Sequence, residues 1–236
     1  MASRLEALVV DAHDPAALAR FWAGLLGWAP VEDPVDGVAL LPSDDTGFRL
    51  RFSASRRPKA GQNSAHVDLT SASSQAQAET VARALRLGAR HVDVGQGPED
   101  EHVVLADPEG NEFCVIEPGN AFLADCGAVG ALACDGTQEV GYFWSRALGW
   151  PLVWDQDQET AIRSPHGGPK LTWGGTAPVP GRQRLHLDLA PTASGDAAAE
   201  VERLLATGAS LMGPGPHGTV LADPDGQEFC VVHPGS

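Results

Sequence analysis

The chain has 236 residues, 43% hydrophobic and 20% charged. That balance suits a globular fold with room for one large domain or two of about 100–120 residues, and it argues against wholesale disorder. Acidic residues outnumber basic ones 31 to 16, for a formal charge of −15, which disfavours nucleic-acid and anionic-membrane partners. No apolar run approaches the roughly 20 residues of a membrane helix, and the start of the chain lacks the long apolar core of a signal peptide. The four cysteines, Cys114, Cys126, Cys134 and Cys230, form no Cys-x-x-Cys pair. Reduced thiols in the cytoplasm are therefore expected.

In chain order, Leu5–Val10 reads as an apolar strand. Asp14-Pro15 supplies an N-cap followed by Pro at the first helical position. Leu18, Phe21, Trp22, Leu25 and Leu26 then fall on one helical stripe, and Gly27 ends it. Short strands follow around Val38–Leu41 and Phe48–Phe52, separated by turn residues. Another strand covers His66–Leu69. A second helix carries Ala78, Val81, Ala82 and Leu85 and stops at Gly88. A hairpin closes the unit: Val103–Ala106, the turn Asp107-Pro-Glu-Gly110, and Glu112–Ile116.

The pattern then repeats. Val104-Leu-Ala-Asp-Pro-Glu-Gly-Asn-Glu-Phe-Cys-Val115 recurs as Val220-Leu-Ala-Asp-Pro-Asp-Gly-Gln-Glu-Phe-Cys-Val231. His66-Val-Asp-Leu69 recurs as His186-Leu-Asp-Leu189, and Phe21-Trp22 with Leu26-Gly27-Trp28 as Phe143-Trp144 with Leu148-Gly149-Trp150. The order is kept, so the chain reads as two copies of one unit, residues 1–119 and 127–236, with a joint near Asn120–Cys126. Each copy is itself two β-α-β-β-β halves, an α+β arrangement of four such modules.

These motifs resemble the glyoxalase / bleomycin-resistance / extradiol-dioxygenase group, the vicinal-oxygen-chelate superfamily, in its glyoxalase-like subgroup common among soluble bacterial proteins. The matching residues are Asp14-Pro-Ala-Ala-Leu-Ala-Arg-Phe-Trp with Leu-Leu-Gly-Trp28, His66-Val-Asp-Leu69, Gly88-Ala89 and Asp107-Pro-Glu-Gly-Asn111, and their second set from Phe143 to Gly226. The resemblance implies two tandem glyoxalase-like domains whose curved mixed sheets wrap a cleft, often around one divalent metal. It also implies where ligands fall. The His slot is filled by His66 and His186. The first-strand slot lies near Ala7, with only Glu6 beside it, and Ala128-Val-Gly-Ala-Leu132 offers nothing. The closing-strand slot, usually Glu, holds Cys114 and Cys230. Glu117 falls on the opposite face, and its counterpart in the second copy is His233. The usual metal set is thus broken twice, and no metal ligands are expected, with zinc or iron as the alternative.

The candidate catalytic pairs are His66 with Asp68 and His186 with Asp188. Each lies two apart on a strand and so shares a face, where the carboxylate could raise the basicity of the imidazole or fix its tautomer. Candidate ligand-binding residues are Trp154 and Trp173, aromatics unmatched in the first copy, and Arg49 and Arg51, which share a strand face. Cys114 and Cys230 complete the set. The main functional expectation is a metal-free protein that binds a small apolar or aromatic molecule in a sequestering or resistance role, as a monomer or homodimer. The alternative is an enzyme (lyase, isomerase or dioxygenase) using a metal or a His/Asp base on a small oxygenated metabolite.

Overall fold

The computed structural model describes residues 3–33, 37–97, 99–191 and 196–232; His233 lies outside them. The first module is β1 (Arg4–Ala12), α1 (Pro15–Leu26), β2 (Ala29–Glu32), β3 (Val38–Leu41) and β4 (Arg49–Ala54). The second is β5 (Ala65–Leu69), α2 (Ser74–Leu87), β6 (Arg90–His91), β7 (Val103–Ala106) and β8 (Glu112–Val115). The third is β9 (Val129–Asp135), α3 (Gln138–Leu148), β10 (Leu152–Gln156), β11 (Glu159–Arg163) and β12 (Lys170–Gly174). The fourth is β13 (Leu185–Ala190), α4 (Ala197–Thr207), β14 (Ser210–Pro214), β15 (Gly218–Ala222) and β16 (Glu228–Val232). Among the described residues no helix is long and apolar enough to cross a membrane.

Local chemistry sets the helix ends. Asp14 accepts a hydrogen bond from Ala17 N, Pro15 opens α1, and Gly27 closes it at φ 73°, where a Cβ would be strained. In the hairpin turn Gly110 N donates to the Asp107 carbonyl at 2.9 Å. β2 is a strand that its sequence hides. Pro30 cannot donate to a ladder, but β2 is the edge of its sheet, where that loss is tolerated.

The strands form two eight-stranded sheets, in the orders β14-β15-β16-β13-β1-β4-β3-β2 and β10-β11-β12-β9-β5-β8-β7-β6. The fold is α+β, but the expectation of curved sheets, one set per tandem copy, is corrected. Both sheets are open, with two edge strands each, and neither is curved or closed. Moreover, each is assembled from one module of each copy. The first and fourth modules join through antiparallel β1 and β13, and the second and third through antiparallel β5 and β9. Alternation along a strand fixes which face a residue takes, not which strand it meets, so this exchange left no trace in the pattern.

One face of each sheet packs against the helices in a single hydrophobic cluster. It contains Leu8, Val10 and Leu187 from one sheet and Val67, Leu69 and Leu132 from the other. Within each copy the two modules are tied by a buried indole–carboxylate bond. Trp22 Nε1 donates to Asp107 Oδ2 at 3.2 Å, and Trp144 Nε1 to Asp223 Oδ2 at 3.2 Å. Asp107 Oδ1 also accepts from the backbone N–H groups of Glu109 and Asn111.

Asp107→Ala leaves those donors without an acceptor at a position where the side chain is fully buried. It is expected to lower stability by about 3 kcal/mol, read from the urea midpoint. Burial raises the Asp223 carboxyl to about 6, outweighing the hydrogen bonds it accepts. The folded state therefore holds a proton that the unfolded chain has released. This group's contribution to stability falls as pH rises from its ordinary value near 3.8 to about 6. Asp223→Asn should flatten that part of the stability–pH curve.

Candidate metal and substrate site

β5 alternates, so His66 and Asp68 leave the core face together while Val67 and Leu69 enter it. Parallel pairing with β8 sets Cys114 directly beside Asp68. A nitrogen, an oxygen and a sulfur donor, one from each of His66, Asp68 and Cys114, thereby converge within 4.8 Å. His66 Nε2 stands 3.4 Å from Asp68 Oδ1, close enough to attract. Asp68 Oδ1 is buried and has no hydrogen-bond partner beyond this contact with His66. Burial alone would lower the His66 pKa, but hydrogen bonding and charge from Asp68 and Cys114 outweigh it and push it up to about 10. The side chain remains 35% exposed, so water screens part of that attraction.

One N, one O and one S donor around a buried carboxylate oxygen fit a divalent ion with three protein ligands and open positions, zinc above all. This corrects the expectation that no metal set survives. The closing strand, where the family resemblance implies a carboxylate, holds Cys114 instead. The carboxylate of the cluster is Asp68, on the same strand as the histidine and facing the same way. The reading of a metal-free sequestering protein is overturned by the same cluster.

The duplicate constellation in the other sheet has a different fate. Asp188 pairs with Cys230, and His186 lies two residues before it. Ala7 of β1 pairs with both Asp188 and Arg49, and Val9 with both His186 and Arg51. Arg51 is 2% exposed. Its Nη1 donates to Asp188 Oδ2, and its Nε lies 3.1 Å from Asp33 Oδ1. Arg49 binds Glu6 at 2.9 Å, and a bulge in β1 lies at Glu6. His186 is buried, with Nδ1 unpartnered. Burial first, then the charges of Arg182 and Arg51, hold its pKa well below the ordinary value. Burial raises Asp188 to about 6, against the pull of Arg51 and Arg182. In this sheet the guanidinium of Arg51 occupies the polar centre.

The register shows what differs. In the other sheet Ala131 pairs with Asp68 and Lys170, and Ala133 with His66 and Thr172. Thr172 thus stands where Arg51 stands in the duplicate. The shorter side chain leaves a cavity of about 700 Å³, lined by Ala133, Thr172, Lys170, Glu159, Trp154 and Phe122 among others. Trp154 borders it, 38% exposed. Trp173 also borders it, but its ring is buried in the core, stacked 6.3 Å from Trp144 with planes 5° apart. Phe122 and Lys170 had no distinguishing signal in the sequence. Phe122 lies in the joint between the copies, and Lys170 shows only as one of two lysines.

This architecture, four strand–helix–strand modules paired across a duplication, has known counterparts. The sequence pattern of the family described as "Glyoxalase-like domain" matches residues 7–116 and again 130–232. The chain belongs to that family, within the glyoxalase / bleomycin-resistance superfamily. Glyoxalase I from Zea mays superposes with a TM-score of 0.68 at 12% identity, covering 98% of this chain and 92% of that one. A putative dioxygenase from Bacillus subtilis superposes with a TM-score of 0.61 at 15% identity, covering 100% and 87%. Among curated proteins none matches the chain.

Arg51→Ala leaves Asp188 and Asp33 buried without their cation. A loss of about 3–5 kcal/mol in unfolding free energy is expected from denaturant titration.

Proposed function

We propose that the chain is a metal-using enzyme of the vicinal-oxygen-chelate type that acts on a small oxygenated metabolite, in a lyase, isomerase or dioxygenase reaction. The observation that carries this reading is the His66–Asp68–Cys114 cluster, whose donor atoms converge on the strand face next to the cavity-lining Ala133 and Thr172. His66, Asp68 and Cys114 would hold the ion. When bound, it would polarise substrate oxygens as a Lewis acid.

The chain's own residues do the rest. Asp68 faces the His66 ring and favours its charged form. With a pKa near 10, an unliganded His66 is a proton donor at neutral pH and a poor base. That counts against a metal-free His66 base, and an ion would have to displace the proton to bind. Ala133, which pairs with His66, also lines the cavity, and its small side chain keeps the floor between them low. Thr172 can donate a hydrogen bond from its hydroxyl to a substrate oxygen. On this reading His186 and Asp188 do not react, because Arg51 and burial hold them. The protein works as a monomer or a homodimer, and the duplication lets one chain supply both modules of each sheet. It works in the cytoplasm, where its four free cysteines stay reduced.

The test is elemental mass spectrometry on protein purified without chelators. Near one equivalent of zinc or iron is expected, lost in His66→Ala and Asp68→Asn and kept in His186→Ala. Metal content indifferent to His66→Ala would sink the proposal. A third variant probes the asymmetry. Thr172→Arg should lose the metal while keeping the fold, because a guanidinium would pair with Asp68 as Arg51 does with Asp188.

A further inference from the structure

The cavity beside the cluster has chemistry of its own. Phe122 and Trp154 meet edge to face, centroids 6.0 Å apart and planes at 85°. They form an apolar corner that offers one ring face and one ring edge to a flat ligand. Lys170 sits at that corner. Its Nζ lies 4.2 Å from the Phe122 ring centroid and donates to the Phe122 carbonyl. No carboxylate among the described residues forms an ion pair with it, whereas Lys59, the chain's other lysine, is paired with Glu112. Partial burial lowers the Lys170 pKa, and Arg163 adds to that lowering against the opposing charges of Cys126 and Asp125. Glu159 also lines the cavity, so a second negative charge on a ligand would be repelled. Strands lie about 4.8 Å apart, so β5 and β12, separated only by β9, run roughly 10 Å apart at the backbone, with Asp68 and Lys170 both in register with Ala131.

We infer that the substrate is a planar aromatic monoanion, an aryl carboxylate or phenolate. Its ring lies against Trp154 and Phe122, its charge pairs with Lys170, and its oxygen substituents face His66, Asp68 and Cys114. This rests on the enzyme reading above for the role of the cluster, but the pocket's selectivity can be tested apart from it.

The probe is 2-hydroxybenzoate, titrated by calorimetry into the full chain. Its neutral amide and cyclohexanecarboxylate serve as the uncharged and non-aromatic controls. Hydroxybenzoate is expected to bind at least tenfold more tightly than either control. Lys170→Met should weaken hydroxybenzoate at least tenfold and leave the amide unchanged, and Trp154→Ala should weaken both aromatic ligands. Circular dichroism melts verify that each variant is folded. No binding of hydroxybenzoate, equal binding of acid and amide, or indifference to Lys170→Met would overturn the inference. If these preferences hold while the purified protein carries no metal, the pocket assignment stands and the enzyme reading falls. The reverse result, metal bound through His66 with no preference for the anion, sinks the pocket assignment alone.

Discussion

The antiparallel seam between β5 and β9 is the contact on which the candidate site depends. It sets Ala133 opposite His66 and Ala131 opposite Asp68. It thereby lays the donor cluster of the first copy beside the cavity of the second. Neither copy alone holds both parts. The seam between β1 and β13 does the same for the other sheet, with a different result. The Trp22–Asp107 and Trp144–Asp223 bonds then fix each copy's own modules to one another, so that two exchanged sheets share one core.

Within that frame a single position separates the two polar centres. Arg51 and Thr172 occupy equivalent places next to His186 and His66. A buried guanidinium requires carboxylates around it, and Asp33 and Asp188 supply them. The result is a buried ion-pair network beside a neutral histidine. A threonine asks for far less, and the space it leaves keeps Asp68 and His66 open to a ligand. The contrast is one of chemistry, since the His-x-Asp and Cys residues are the same in both.

Much of the fold was legible in the sequence because it rests on local rules. The caps at Asp14 and Gly27, the helical stripe through Phe21 and Trp22, and the four-module repeat all follow from spacing. The face shared by His66 and Asp68 followed from alternation. The strand partners did not, because period-two patterning carries no information about which strand lies alongside. Arg51 shows the same limit. Its alternation with Arg49 placed both on one face, but its acceptor Asp188 is 137 residues away. Asp68 was visible and given too small a part, since a carboxylate two residues from a histidine reads as a partner before it reads as a fellow ligand. Phe122 sits in what looked like a mere joint, where composition gives no hint that a ring forms a cavity wall.

That joint has a consequence for symmetry. A homodimer built from one such copy would carry two identical centres, and any substitution would enter both at once. Covalent fusion removes that coupling. Once residues 120–126 tie the copies together, each sheet can accept its own substitutions, and an arginine that would extinguish both centres of a symmetric pair extinguishes only one. The spent centre is then free to serve as a rigid flank for its twin.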